Sequence, residues 1–157
     1  MESNSLISRL IAMNAEYVRC IDTDALEAWP DFFVETGCYK ITTAKNIEKG
    51  MEAGIIYADS RGMLADRVNA LRNANIYERQ RYRHVVGLPH VISIDDEGCI
   101  SETPFLVIRI MGDGQTDVFA SGEYRDTIVE EQGDLRFRER IVICDSTRFD
   151  TLVAIPL

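Results

Sequence analysis

Two histidines, four cysteines and a scatter of acids are the side chains here that could carry chemistry. A mononuclear non-haem iron takes two histidines and a carboxylate, and a Rieske cluster takes two cysteines and two histidines. His84 and His90 are the whole supply, and neither has a cysteine two or three residues away. Even one such centre would consume both, so two centres cannot be built from this chain. In an extended strand the two histidines share one face, about 20 Å apart at roughly 3.3 Å per residue, too far for one ion. Either could instead serve as a base beside an acid such as Asp22, Asp59 or Asp66. The plainer role is a strand histidine hydrogen-bonded to backbone or to a partner chain. Cys20, Cys38, Cys99 and Cys144 are scattered with no CxxC pair, and read as buried thiols. No GxSxG, GxGxxG or GxxxxGK[ST] pattern occurs, so hydrolase, dinucleotide and P-loop chemistry lack their usual signals.

Arginine is the other notable type. Glu78-Arg79-Gln80-Arg81-Tyr82-Arg83-His84 is the densest basic stretch in the chain. It is either a solvated face or a protein contact, since Arg and Tyr are enriched at interface hot spots and guanidinium grips carboxylates bidentately. Arg136, Arg138 and Arg140 alternate along a later strand and would share one face. Three unpaired arginines cannot be buried, so that face must meet solvent, a carboxylate-bearing partner or a polar cavity. Together Arg79, Arg81, Arg83, His84, Arg136, Arg138 and Arg140 form the candidate subunit interface.

The elements that position these residues follow from periodicity. Leu6, Leu10, Asn14, Tyr17, Val18 and Ile21 recur at helical spacing, with Ile7 and Ile11 on the same side. Asp24 with Glu27 suits the N-cap of a second helix, which Trp29-Pro30 shortens so that it ends near Phe32-Phe33. Cys38 to Thr43 reads as a strand. A third helix spans about Ser60 to Arg72, with Leu64, Val68 and Leu71 as its apolar stripe and Asp59 or Ser60 as its cap. From Arg81 onward the chain reads as strands. One runs through Val86, Leu88, His90, Ile92 and Ile94, with Gly87 and Pro89 marking a bulge or edge. The others are Thr103 to Met111, Thr116 to Val129, Leu135 to Cys144 and Thr151 to Ile155. The connections at Asp96-Glu97-Gly98, Gly112-Asp113-Gly114 and Gln132-Gly133-Asp134 are short enough for hairpins.

Helices segregated onto one face of a curved antiparallel sheet make an α+β layer architecture. By analogy this resembles the nuclear-transport-factor-2-like, cystatin-like cone. One domain is expected over 1–157, helical from about 4 to 73 and sheet from about 81 to 157. Its 157 residues, 46% hydrophobic and 27% charged, suit a soluble globular domain. A net charge of −9 disfavours nucleic acid, and no stretch approaches the roughly 18 apolar residues of a membrane span. Met1-Glu2-Ser3-Asn4 lacks the basic flank of a secretory leader, so cytoplasmic residence is expected.

A succession of segments resembles the small (β) subunits of bacterial aromatic-ring-hydroxylating dioxygenases. Asp59 to Val68 is similar to the family's acid-then-DRV helix, and Arg81-Tyr82-Arg83-His84-Val85 to its R-x-R-H segment. Phe105-Leu106-Val107, Asp117 to Tyr124, Leu135 to Asp145 and Thr151 to Leu157 resemble its later strands and tail. Gly87-Leu88-Pro89 stands where many members carry Ser-Asn. That variant, after Asn75-Ile76-Tyr77-Glu78-Arg79, looks closest to the terephthalate dioxygenase and salicylate hydroxylase small-subunit type. The resemblance implies a non-catalytic subunit of a mixed hexamer of three large and three small chains, with a homotrimer possible in isolation. The large subunit would hold the Rieske 2Fe-2S centre and the mononuclear iron, and a separate reductase would supply electrons from NADH. This chain would need no cofactor of its own. The alternatives are a stand-alone cone-fold dehydratase or isomerase, with a His or Tyr plus Asp pocket, and a binding module without chemistry.

Overall fold

The computed structural model describes residues 3–51, 54–74, 80–147 and 155–157. Helix α1 (Ser3–Asp22) is followed by a 3-10 segment (Leu26–Phe32), β1 (Phe33–Thr43), a short α2 (Ala44–Glu48), β2 (Ile56–Ala58) and α3 (Arg61–Asn73). Five strands then follow: β3 (Gln80–Val86), β4 (His90–Asp95), β5 (Gly98–Met111), β6 (Thr116–Glu131) and β7 (Asp134–Cys144).

Local sequence accounts for much of this. The α1 stripe of Leu6, Leu10, Tyr17 and Ile21 is buried, as its spacing predicts, while Ile11 lies outside it at 41% exposure. Ser60 caps α3 by accepting a hydrogen bond from the Met63 N–H at 3.1 Å, and Leu64, Val68 and Leu71 face the core. At the β6–β7 turn, Gln132 and Gly133 both take positive φ, 54° and 84°, the two-residue hairpin geometry that suits a right-twisted pair. The expected cap on the second helix does not form. That segment is 3-10, and Arg72 of α3 instead clamps Asp24 at 2.7 Å and Glu27 at 2.7 Å.

The sheet runs β2-β1-β7-β6-β5-β3, with β4 alongside β5. Its pairings are antiparallel except one: β1 lies parallel to β7, from Cys38 opposite Glu139 to Thr43 opposite Cys144. The sheet is therefore mixed. The strand expected through Val86 and His90 is two strands, because β3 pairs with residues 105–111 of β5 and β4 with residues 98–102. The break falls at Gly87-Leu88-Pro89. A Cβ on Gly87 would stand 2.6 Å from Pro104 Cγ, and the Gly87 N–H donates to the Pro104 carbonyl at 2.8 Å, so close approach demands glycine there. Of the tail expected as a strand, residues 151–154 lie outside the described residues.

Helix α1, the 3-10 segment and α3 close the inner face of the curved sheet. Trp29, Tyr17, Tyr39, Phe33 and Phe137 pack there edge to face and are fully enclosed. Leu157 seats in the same cluster, accepting from the Tyr17 hydroxyl at 3.0 Å and donating its N–H to Tyr39 Oη at 3.0 Å. Trp29 Nε1 donates to Tyr17 Oη at 3.1 Å. These buried polar tips are thus satisfied, as burial requires.

Candidate functional site

The inner face carries two buried polar assemblies. The first joins α1 to the edge strand β3. Asp22, the last residue of α1, accepts from the His84 backbone N–H at 2.8 Å, and its other oxygen lies 2.6 Å from His84 Nδ1. A proton on Nδ1 fits that contact, which leaves Nε2 facing the interior. Side-chain exposure is 0% for His84 and 6% for Asp22, so the pair is closed to solvent. Asp22 is therefore the acid that meets His84, while Asp59 and Asp66 are exposed elsewhere. A pocket of about 870 Å³ is lined by Asp22, Tyr82, Leu71 and Ile110, among others, but His84 is not on its wall. Both Asp22 oxygens are already engaged. His84 Nε2 has no hydrogen-bond partner among the described residues, but the ring is fully enclosed and off the pocket wall, so it is not presented to a substrate there.

His90 lies elsewhere. It pairs with Glu102, an outward position beside the buried Ser101 and Thr103, whereas His84 pairs with the inward Val107. The two histidines thus sit on opposite faces and cannot share an ion, which corrects the single-strand expectation. Among the described residues no group of three or more His, Cys, Asp or Glu is placed to hold a metal.

The second assembly is centred on Arg140. It donates to both Asp126 oxygens at 2.8 Å and to Asn14 Oδ1 at 2.6 Å. Tyr17, Tyr124 and Phe137 surround its guanidinium, with ring centroids 4.3, 3.9 and 4.0 Å away. Both members of the ion pair have 0% side-chain exposure. Burial works against the Arg140 charge, but the Asp126 carboxylate and the hydrogen bonds to it raise the arginine pKa overall. Burial also pushes the Asp126 carboxyl up, opposed by Arg140. With Coulomb attraction in a dry site and a two-pronged contact, the pair stays ionised.

Arg140 therefore does not share a face with Arg136 and Arg138. The register against β6 shifts between Thr127, opposite Glu139, and Ile128, opposite Phe137, leaving Arg138 as an extra residue. A one-residue bulge reverses the faces beyond it. Arg138 is exposed, while Arg136 is half-buried, donates to the Asp31 carbonyl and stands 3.8 Å from Asp134. On β3, Arg81 and Arg83 are exposed on the outer face, and Arg79 lies outside the described residues. The six described members of the candidate set thus divide into outward Arg81, Arg83 and Arg138, tethered Arg136, and internal His84 and Arg140. Asp126 escaped the sequence reading altogether. Asn14 did leave a signal, as a polar residue inside an apolar helical stripe, and such a residue needs a buried partner.

The remaining ionisable groups suit a scaffold. Burial pushes the Cys144 thiol up to about 12 and the Cys20 thiol up to about 11, which leaves neither poised as a nucleophile. No helix among the described residues is long and apolar enough to cross a membrane.

Comparison with known proteins places this architecture. The ring hydroxylating beta subunit family matches residues 16–151. The chain belongs to that family. It is 52% identical over 149 residues to subunit beta 1 of the terminal oxygenase component of terephthalate 1,2-dioxygenase from a Comamonas species, covering 95% of this chain and 97% of the relative. It is 36% identical to the anthranilate 1,2-dioxygenase small subunit of Burkholderia cepacia, covering 90% and 88%. A β subunit assigned to an aromatic-ring-hydroxylating dioxygenase of Novosphingobium aromaticivorans superposes with a TM-score of 0.91 at 34% identity, covering 99% of each chain. The benzoate 1,2-dioxygenase β subunit of Burkholderia mallei, at 17% identity and a TM-score of 0.73 over 88% and 90%, shares the fold. The relatives named are subunits of multi-component oxidoreductases, and the family pairs its β subunits with large ones.

Proposed function

We propose that this ring-hydroxylating β subunit is the non-catalytic scaffold of a terminal oxygenase that attacks an aromatic acid, with terephthalate and anthranilate as the substrate types of its relatives. The observation that carries the reading is how the inner face spends its ionisable groups. Asp22–His84 ties α1 to the sheet edge, and Asn14–Arg140–Asp126 ties α1 to β6 and β7. Groups that other chains would aim at a substrate here hold elements together. The donor set does not fit a metal either, since the two histidines lie on opposite faces of the sheet and no three His, Cys, Asp or Glu side chains converge among the described residues.

Oxygen activation then belongs to the large subunit, which would carry the Rieske 2Fe-2S centre and the mononuclear iron. Electrons would arrive from NADH through a separate reductase, in the cytoplasm. We propose three large and three small chains per assembly, the arrangement that the family resemblance implies. The test is to purify the complex through this chain and measure its mass and iron content. The reading predicts an α3β3 mass with all iron in the large subunit. Stoichiometric iron on the isolated chain, together with turnover of an aromatic acid, would overturn it.

A further inference from the structure

Buried polar atoms are normally paired, and leaving one unpaired costs the fold stability. Among those without a hydrogen-bond partner in the described residues are His84 Nε2, Tyr82 Oη and Tyr124 Oη. The His84 side chain is 0% exposed, and Tyr82 and Tyr124 are 2% and 0% exposed. His84 and Tyr82 lie two residues apart on the inward side of β3, with ring centroids 6.2 Å apart. Tyr124 reaches the same region from β6. Phe105 stacks on its ring at 4.5 Å and the Arg140 guanidinium lies over it at 3.9 Å. Both ring faces are thus taken, and the hydroxyl leaves the stack at the ring edge. Phe105 pairs with Val86 and Val107 pairs with His84, which makes Phe105 a diagonal neighbour of His84. The Tyr124 stack therefore stands beside the imidazole.

With Nδ1 donating to Asp22, Nε2 is an acceptor. Burial pushes the Tyr82 phenol up, against the Arg109 charge. Burial also holds the Tyr124 phenol well above its ordinary range, with Arg140 opposing and Asp22 adding to the rise. Both hydroxyls therefore keep their protons and serve as donors. Two donors and one acceptor, none bonded to another, match a molecule that accepts twice and donates. Water does so, and a buried water typically makes about three such bonds. We infer that His84 Nε2, Tyr82 Oη and Tyr124 Oη bind one shared water, which extends the α1 tie through Asp22 and His84 across to β6. Tyr82 and Asp22 also line the pocket of about 870 Å³, which gives this water its route to solvent. A larger ligand in that pocket would not reach Nε2, because His84 is off its wall.

The test compares thermal melting of the full chain with that of Y82F, Y124F and Y82F/Y124F, which keep each ring and remove only the hydroxyl. Each single variant should melt about 2–4 °C below the parent, the scale of one hydrogen bond in a chain of this length. The double variant should lose less than the sum, because a water released by the first change no longer rewards the second hydroxyl. Dry hydroxyls would give the opposite sign, since removing an unsatisfied buried group relieves its desolvation cost. Either single variant melting at or above the parent would therefore overturn the shared site. Additive losses would give each hydroxyl a separate partner and overturn it too. A crystal structure of the parent chain decides the matter independently of how the variants fold. One water within hydrogen-bond reach of all three atoms is expected there. A direct tyrosine–histidine bond, a dry interior or an organic molecule bridging the three atoms would overturn the inference.

Discussion

Replacing Arg140 by Met should cost this fold about 3–5 kcal/mol, because it strands a buried charge rather than merely deleting a contact. Asp126 has no exposed side-chain area and takes both its side-chain hydrogen bonds from Arg140. The change also removes the partner of Asn14 Oδ1 and the cation facing Tyr17, Tyr124 and Phe137. Methionine buries apolar surface of its own, but that gain does not solvate a carboxylate. For a chain of this length roughly 2–4 °C accompanies each kcal/mol, so the melting temperature should fall by about 6–20 °C. The assay is thermal unfolding followed by circular dichroism on the isolated chain. Two controls separate the cause. R140M/D126L removes both charges and should recover most of the loss, because a buried pair replaced by apolar groups is often neutral. Burial already raises the Asp126 pKa, and the variant loses the opposing arginine. A carboxyl whose folded pKa lies above its unfolded value stabilises the fold at low pH and loses that contribution as pH rises through the folded pKa. The deficit of R140M should therefore be smaller at pH 5 than at pH 8. A single variant melting within 2 °C of the parent, or a double variant as unstable as the sum of its parts, would refute the reasoning.

D22A should loosen α1 from β3 by leaving the His84 ring and its backbone N–H without their acceptor, a loss of about 2–4 kcal/mol detectable as faster amide exchange in β3. Iodoacetamide at pH 8 should leave Cys144 and Cys20 unmodified in the folded chain and label both after denaturation, read by intact mass, since burial holds their pKa values near 12 and 11. Arg72 lowers Glu27 from 4.5 to about 2. A depressed carboxyl pKa contributes stability above the unfolded value that is lost as pH falls through the folded one, so the melting advantage of the parent over E27Q should shrink between about pH 4.5 and 2.

Short-range patterning was enough for α1, α3 and the β6–β7 turn. The α3 stripe and its Ser60 cap, the α1 stripe and the Gln132-Gly133 hairpin depend on neighbours within four residues, so their signals are written locally. The shortage of metal ligands was equally plain from two histidines without nearby thiols. Relations between distant residues decided the rest. Asp24 and Glu27 look like a cap-and-return pair until Arg72, far along the chain, supplies a stronger partner. His84 and His90 share a face only if the strand is continuous, and the Gly87–Pro104 contact breaks it. Arg136, Arg138 and Arg140 look equivalent until pairing with β6 inserts a bulge at Arg138 and turns Arg140 inward. The parallel β1–β7 pair likewise joins segments from opposite ends of the chain. Sequence alone determined the α1 and α3 stripes, the β6–β7 turn and the scarcity of histidine ligands, because those follow from residue type and local period. Which charges are buried and which face outward followed from strand register, a property of two chain segments at once.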